Sequence, residues 1–255
     1  MQSPLAMCRM TALGVLAALA LTACNNSTTS TAPAGGPTGT FTGTLVGATV
    51  SGVMTLSFPA SASYMAAHRP RFRIVPVADA ATVAATAVSV TGSLAITGGG
   101  TYTLSGTYDP SANPQLSVSS SLSGYTITGS YSASNGQFSG SFTAPTDNGE
   151  WTVSAGVVKV FCGTYNVTAG GTGTGTWNLT LDGSDRLFGV VNTQNGARQM
   201  AGTYTPSNGA VEVTFKNGSA SGTVNASNGT GGGTWTVSSS GGTFSGTWTA
   251  TTGGC

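Results

Sequence analysis

From Gly39 onward, apolar and polar positions alternate along most of the chain. "GTWNLTL" sets Trp177, Leu179 and Leu181 on one face and Thr176, Asn178 and Thr180 on the other. "AVEVTFKN" sets Val211, Val213 and Phe215 opposite Glu212, Thr214 and Lys216. A period of two, built from β-branched and aromatic residues, predicts half-buried antiparallel strands with their hydroxyls in water. Asn-Gly pairs punctuate the runs at Asn135-Gly136, Asn148-Gly149, Asn195-Gly196, Asn208-Gly209, Asn217-Gly218 and Asn228-Gly229. Such pairs tolerate positive φ at both central positions and predict type I′ hairpins. Past the N-terminal segment, only "ASASYMAAH" and "ADAATVAATA" carry a local helical signal.

A second regularity overlies the first. Glycine recurs between two apolar residues of one face, as in Phe41-Gly43-Leu45, Leu104-Gly106-Tyr108, Ile127-Gly129-Tyr131, Phe138-Gly140-Phe142, Met200-Gly202-Tyr204 and Phe244-Gly246-Trp248. Glycine inside a strand normally weakens it. Its recurrence on the apolar face fits sheets coiled tightly enough to close, with space for aromatic rings from neighbouring strands.

The pattern also repeats over a long distance. "LSGTYDPSANPQLSVSSSLSGYTITGSYSASNGQFSGSFTA" (104–144) parallels the stretch from "MAGTYTPSNGAVEVTF" to "GTFSGTWTA" (200–250). Each half offers about eight short strands, a number at which side chains can fill a barrel. The expectation is an all-β, antiparallel up-and-down meander in two tandem eight-stranded barrels, spanning 39–158 and 159–255. One larger barrel and a β-sandwich are the alternatives.

The N-terminal stretch differs in kind. Arg9 precedes the apolar run "TALGVLAALAL", which is too short to span a bilayer stably and ends at Leu21-Thr22-Ala23-Cys24. This resembles the lipobox signal peptide of bacterial lipoproteins. The resemblance implies that 1–23 is removed and that Cys24 is lipidated on its sulfur and new amino terminus, anchoring the protein in the cell envelope. Asn25, where an aspartate would favour the inner membrane, implies the outer membrane. Residues 24–38, rich in Ser, Thr, Pro and Gly, read as a flexible tether reaching on the order of 20 Å.

Two cysteines remain in the folded part, Cys162 and Cys255, one at each end of the second module. In an eight-stranded meander the first and last strands are antiparallel neighbours, so these ends meet. Alternation also turns both cysteines outward. An exported compartment permits a disulfide between them, worth at most about 4.7 kcal/mol by chain entropy.

Charge narrows the functional classes. Only 6% of residues are charged, with 8 Lys and Arg against 7 acids. Without Arg9 the balance is seven against seven, and no basic stripe is present to bind nucleic acid. There is one histidine, His68, and no Gly-x-Ser-x-Gly elbow, so no catalytic constellation emerges. Neither a metal nor a cofactor is indicated. Asp182 and Asp185 flank a turn that supplies too few oxygens for calcium. "HRPRFRIVPV" is the one charged island; its His68, Arg69, Arg71 and Arg73 either contact an anion or ligand or guard a sheet edge against aggregation.

The aromatic "GTW" and "GTY" strands resemble, in residue type alone, the barrels of the streptavidin and lipocalin types. No ligand set of those families can be matched here, so the likeness implies a barrel and no particular ligand. The expected function is a lipid-anchored envelope protein of structural or binding type, with a glycan, an envelope component or a small apolar ligand as partner. Carriage of a small apolar ligand inside a barrel is the first alternative. A transmembrane barrel is the second, although a row of glycines facing lipid would pack poorly. An unrecognised hydrolase is the third.

Overall fold

The structure is a computed structural model that describes residues 36–60 and 87–251. The leader, Cys24, most of the tether, His68, Arg69, Arg71, Arg73, the two stretches with a helical signal in sequence (but for Ala60 and Ala87) and Cys255 lie outside the described residues.

Two closed antiparallel barrels follow one another along the chain. The first is built from β1 (Gly39–Gly47), β2 (Ser51–Phe58), β3 (Val88–Ile96), β4 (Thr101–Tyr108), β5 (Leu116–Ser120), β6 (Thr126–Ser132), β7 (Gln137–Ala144) and β8 (Asp147–Ala155). The second comprises β9 (Val157–Ala169), β10 (Thr174–Asp182), β11 (Arg186–Thr193), β12 (Gly196–Thr205), β13 (Ala210–Phe215), β14 (Gly218–Val224), β15 (Gly231–Ser239) and β16 (Gly242–Thr251). Each strand pairs with its sequence neighbours, and the ring closes where β8 meets β1 and β16 meets β9. This is the tandem meander that period-two alternation and the internal repeat predict.

Alternation sorts the side chains as expected within each barrel. Phe41, Leu45, Met54, Leu56, Leu94, Leu104, Ile127, Phe138, Phe142 and Trp151 form the first core, and Phe161, Trp177, Leu179, Leu187, Val213 and Trp248 belong to the second. The inward glycines lie where no Cβ fits. At Gly106 and Gly140 a Cβ would strike the carbonyl oxygen of Ser117 or Thr128 on the next strand. At Gly129, Gly163 and Gly222 the six-membered rings of Trp151, Trp177 and Trp248 occupy the vacated space.

The turns differ in detail from expectation. Five Asn-Gly pairs fall in strand connections, but Asn148-Gly149 lies inside β8, because Pro145-Thr146 makes that turn. In no pair are both residues at positive φ, so the type I′ expectation fails. Gly136, Gly196, Gly209 and Gly229 take positive φ alone, and Asn217 does so at its own turn. The connections at Asn135, Asn208 and Asn228 are longer than two residues, and the two-residue ones at Thr193–Gly196 and Phe215–Gly218 each use one left-handed residue in place of two.

A single residue, Gly156, joins the barrels; its φ of 67° suits glycine. Its carbonyl accepts from the Gly183 amide in the β10–β11 turn at 3.0 Å. The barrels pack side by side, β1 and β8 against β10, β11 and β12. Val46, Val190 and Ala197 form a small apolar cluster between them. Arg186 crosses the interface, its Nη1 donating to the Asn135 carbonyl at 2.9 Å while its other nitrogens hold Asp182 at 2.7–2.8 Å. Here the expectation of wet outward hydroxyls fails. Thr44, Thr152, Ser154, Asn178 and Thr180 point outward from their barrels and yet are buried.

A candidate ligand site in the second barrel

Leu104-Ser-Gly-Thr-Tyr108 of β4 and Met200-Ala-Gly-Thr-Tyr204 of β12 align the barrels, and strand register extends the match from rung to rung. The first interior is filled. Phe138 stacks on Phe58 at 4.8 Å and meets Phe41, Tyr108 and Tyr131 within 5.5 Å. At the other end Tyr125 stacks on Phe142 at 6.3 Å. That end is also tied shut by Asp147. Its carboxylate accepts from the backbone amides of Ala48, Thr49 and Val50 at 2.7–2.9 Å and from the Thr49 hydroxyl at 3.0 Å. Burial works to raise the Asp147 carboxyl, but these bonds outweigh it and hold the group below the usual carboxylate range.

The second barrel keeps rings on the rungs of Tyr108 and Phe142, as Tyr204 and Trp235, but lacks other fillings. Ala220 stands on the rung of Ile127, Gly231 on that of Phe138 and Phe244 on that of Asp147. A cavity of about 350 Å³ results. Tyr165, Trp177, Met200, Phe215, Trp235 and Trp248 give its wall an aromatic character. Two perpendicular pairs stiffen that wall: Trp177 with Trp248 and Tyr165 with Trp235, each at 5.5 Å. Burial pushes the Tyr165 hydroxyl upward in pKa.

Three tryptophans are fixed by their indole N–H. Trp177 donates to the Thr164 carbonyl at 3.2 Å, Trp248 to that of Ser221 at 3.1 Å, and Trp151 of the first barrel to those of Thr128 and Ser141. Trp235 lies over Gly246, beside a break in register between β16 and β9, and its buried N–H has no acceptor.

The cavity opens at the end formed by the β9–β10, β11–β12, β13–β14 and β15–β16 connections, where Gln194, Asn195, Arg198, Lys216, Asn217 and Ser239 line it. Gln194 Nε2 ties the β9–β10 loop through the Thr172 carbonyl at 3.0 Å. Arg198 follows the inward parity of Met200 and stands where the first barrel has Tyr102. Its guanidinium donates to the carbonyls of Ala197 and Asn195 at 2.6 and 2.8 Å. Glu150, on β8 of the first barrel, lies nearby. Burial raises its carboxyl, opposed by Arg198 and by the Gln199 amide.

The charged island of His68, Arg69, Arg71 and Arg73, expected from the sequence to contact an anion or ligand, lies outside the described residues, and the cations that line this opening are Arg198 and Lys216. Parity with Met200 carries a signal for Arg198, whereas Lys216 alternates outward from Phe215 and reaches the opening only from the β13–β14 turn; Ala220 and Gly231 together mark the missing volume. Cys162 sits on the outer face of β9, opposite Thr251 of β16. Asp182 is buried and organises the β10–β11 turn by accepting from the Ser184 and Arg186 amides. Among the described residues, no group of three or more His, Cys, Asp or Glu gathers to hold a metal. Compared with protein-family models, curated proteins and solved structures, the chain finds no match.

Proposed function

We propose that this is a non-catalytic protein of the bacterial cell envelope, lipid-anchored at Cys24, whose second barrel carries a small apolar ligand. The hollow beside a filled first barrel carries this reading. Its volume falls at the small end of the range for small-molecule pockets, and aromatic walls with a few polar groups at the opening suit an apolar guest. The first barrel, its described interior filled by aromatic and aliphatic side chains and packed against the second through β1 and β8, serves as a rigid mount.

The anchor rests on the lipobox-like Leu21-Thr22-Ala23-Cys24, and the outer membrane as its location rests on Asn25. Outward faces rich in Ser and Thr favour barrels standing in water over barrels crossing lipid. A disulfide from Cys162 to Cys255 completes the proposal. It is supported by the pairing of Cys162 with Thr251, four residues before Cys255.

The ligand reading is tested by titrating N-phenyl-1-naphthylamine into the full chain. Saturable binding at one probe per chain is expected, with energy transfer from Trp177, Trp235 and Trp248. Absence of saturable binding would refute it. The anchor is tested by Cys24→Ser, which should abolish uptake of labelled fatty acid. Mass mapping without reductant should join Cys162 to Cys255.

A further inference from the structure

We infer that the ligand is an amphiphile with a carboxylate head, its tail inside the second barrel and its head at the opening between Arg198 and Lys216. The inference rests on the carrier reading and specifies its ligand.

The lining is electrostatically one-sided. Among the described residues, Arg198 and Lys216 are its two charged side chains, both cationic, and no acid lines the cavity. Both stand at the open end, whereas Trp177, Leu179, Val211 and Val224 line its deeper part. Among the described residues Lys216 has no ion-pair or hydrogen-bond partner, which leaves its ammonium available. The two carbonyl bonds of Arg198 orient the guanidinium without cancelling its charge. Glu150 opposes it from the first barrel, outside the cavity, and the pair forms no direct salt bridge.

An apolar guest alone would gain nothing from cations at the rim. A cationic guest would be repelled. An anionic head gains a planar donor from Arg198 and a flexible point charge from Lys216. The amides of Gln194, Asn195 and Asn217 add neutral donors at the same opening. Tyr102, the residue on the Arg198 rung of the filled barrel, carries no charge. The cation thus accompanies the hollow barrel and not the repeat as such.

Calorimetric titration of the full chain with decanoate, decanol and decyltrimethylammonium separates head from tail. Decanoate should bind at least about tenfold more tightly than decanol, a difference of about 1.4 kcal/mol. Decyltrimethylammonium should bind most weakly. The double variant Arg198→Gln, Lys216→Gln should bring decanoate to within about twofold of decanol measured on the same variant. Decanol binding as tightly as decanoate overturns the inference, as does a preference that survives the double variant. If decanol binds, the carrier reading stands whatever the head preference. If neither decanol nor N-phenyl-1-naphthylamine binds, the carrier reading itself fails, and this inference with it.

Discussion

Phe138 and Gly231 occupy the same rung of the two barrels. Phe138 pairs with Tyr131 and Val153, and Gly231 with Val224 and Ala250. One position is the hub of an aromatic cluster and the other carries no side chain. Two copies of one meander thereby differ in what they enclose. A Cβ at Gly231 would meet the Thr223 carbonyl and Val224, so that rung cannot simply be refilled. Ala220, on the rung of Ile127, can be.

Ala220→Phe should place a ring in the cavity. Binding of N-phenyl-1-naphthylamine should fall at least about tenfold, because a filled pocket offers no apolar surface to the guest. The melting temperature should not drop, since the added ring occupies empty space instead of displacing packed atoms. A probe titration beside a thermal melt checks both.

Asp147 makes the first barrel acid-sensitive. Its folded carboxyl is held below the unfolded value of about 3.9. The stability it supplies is therefore present above that value and lost as pH falls through the lower, folded one. Asp147→Ala should cost about 3 kcal/mol at neutral pH, the order expected when backbone amides lose a charged acceptor. The penalty should shrink toward pH 2. Urea unfolding of both proteins across this range measures it.

The tryptophans should divide by hydrogen bonding. Trp248→Phe loses the bond to Ser221, whereas Trp235→Phe loses none. Both remove similar ring volume, so Trp248→Phe should be more destabilising by about 1 kcal/mol. Paired denaturation curves test the difference.

The interface between the barrels contains removable polarity. Thr44 is fully buried and its hydroxyl has no partner. Thr44→Val keeps the shape and should stabilise the chain by about 1 kcal/mol, because a buried unpaired hydroxyl carries a desolvation cost. A higher denaturation midpoint with an unchanged slope is the expected result.

The strands, their inward faces and the tandem closure were legible because alternation and inward glycines are local signals, written residue by residue. The interface was only partly so. "RLFGVV" carries apolar residues on both faces of β11, and Leu187 and Phe188 are both buried, which marks a strand covered on two sides. Thr44, Thr152 and Thr180 read as solvent-facing, since threonine looks the same on a wet strand face as on a dry one. The cavity was hidden for another reason. It depends on the summed volume of rungs far apart in sequence, and neither Ala220 nor Gly231 alone announces a void. Arg198 was overlooked because one charge at a strand end ordinarily faces water. Only the register of β11 with β12 places it at the mouth.

The central claim is that one barrel is full and its repeat is hollow. Xenon, which enters dry apolar cavities, tests it without reference to any ligand. Crystals of the protein held under xenon pressure should show the gas among Trp177, Trp235, Met200 and Val213 of the second barrel and none inside the first. Xenon in neither barrel, or equally in both, would contradict the account.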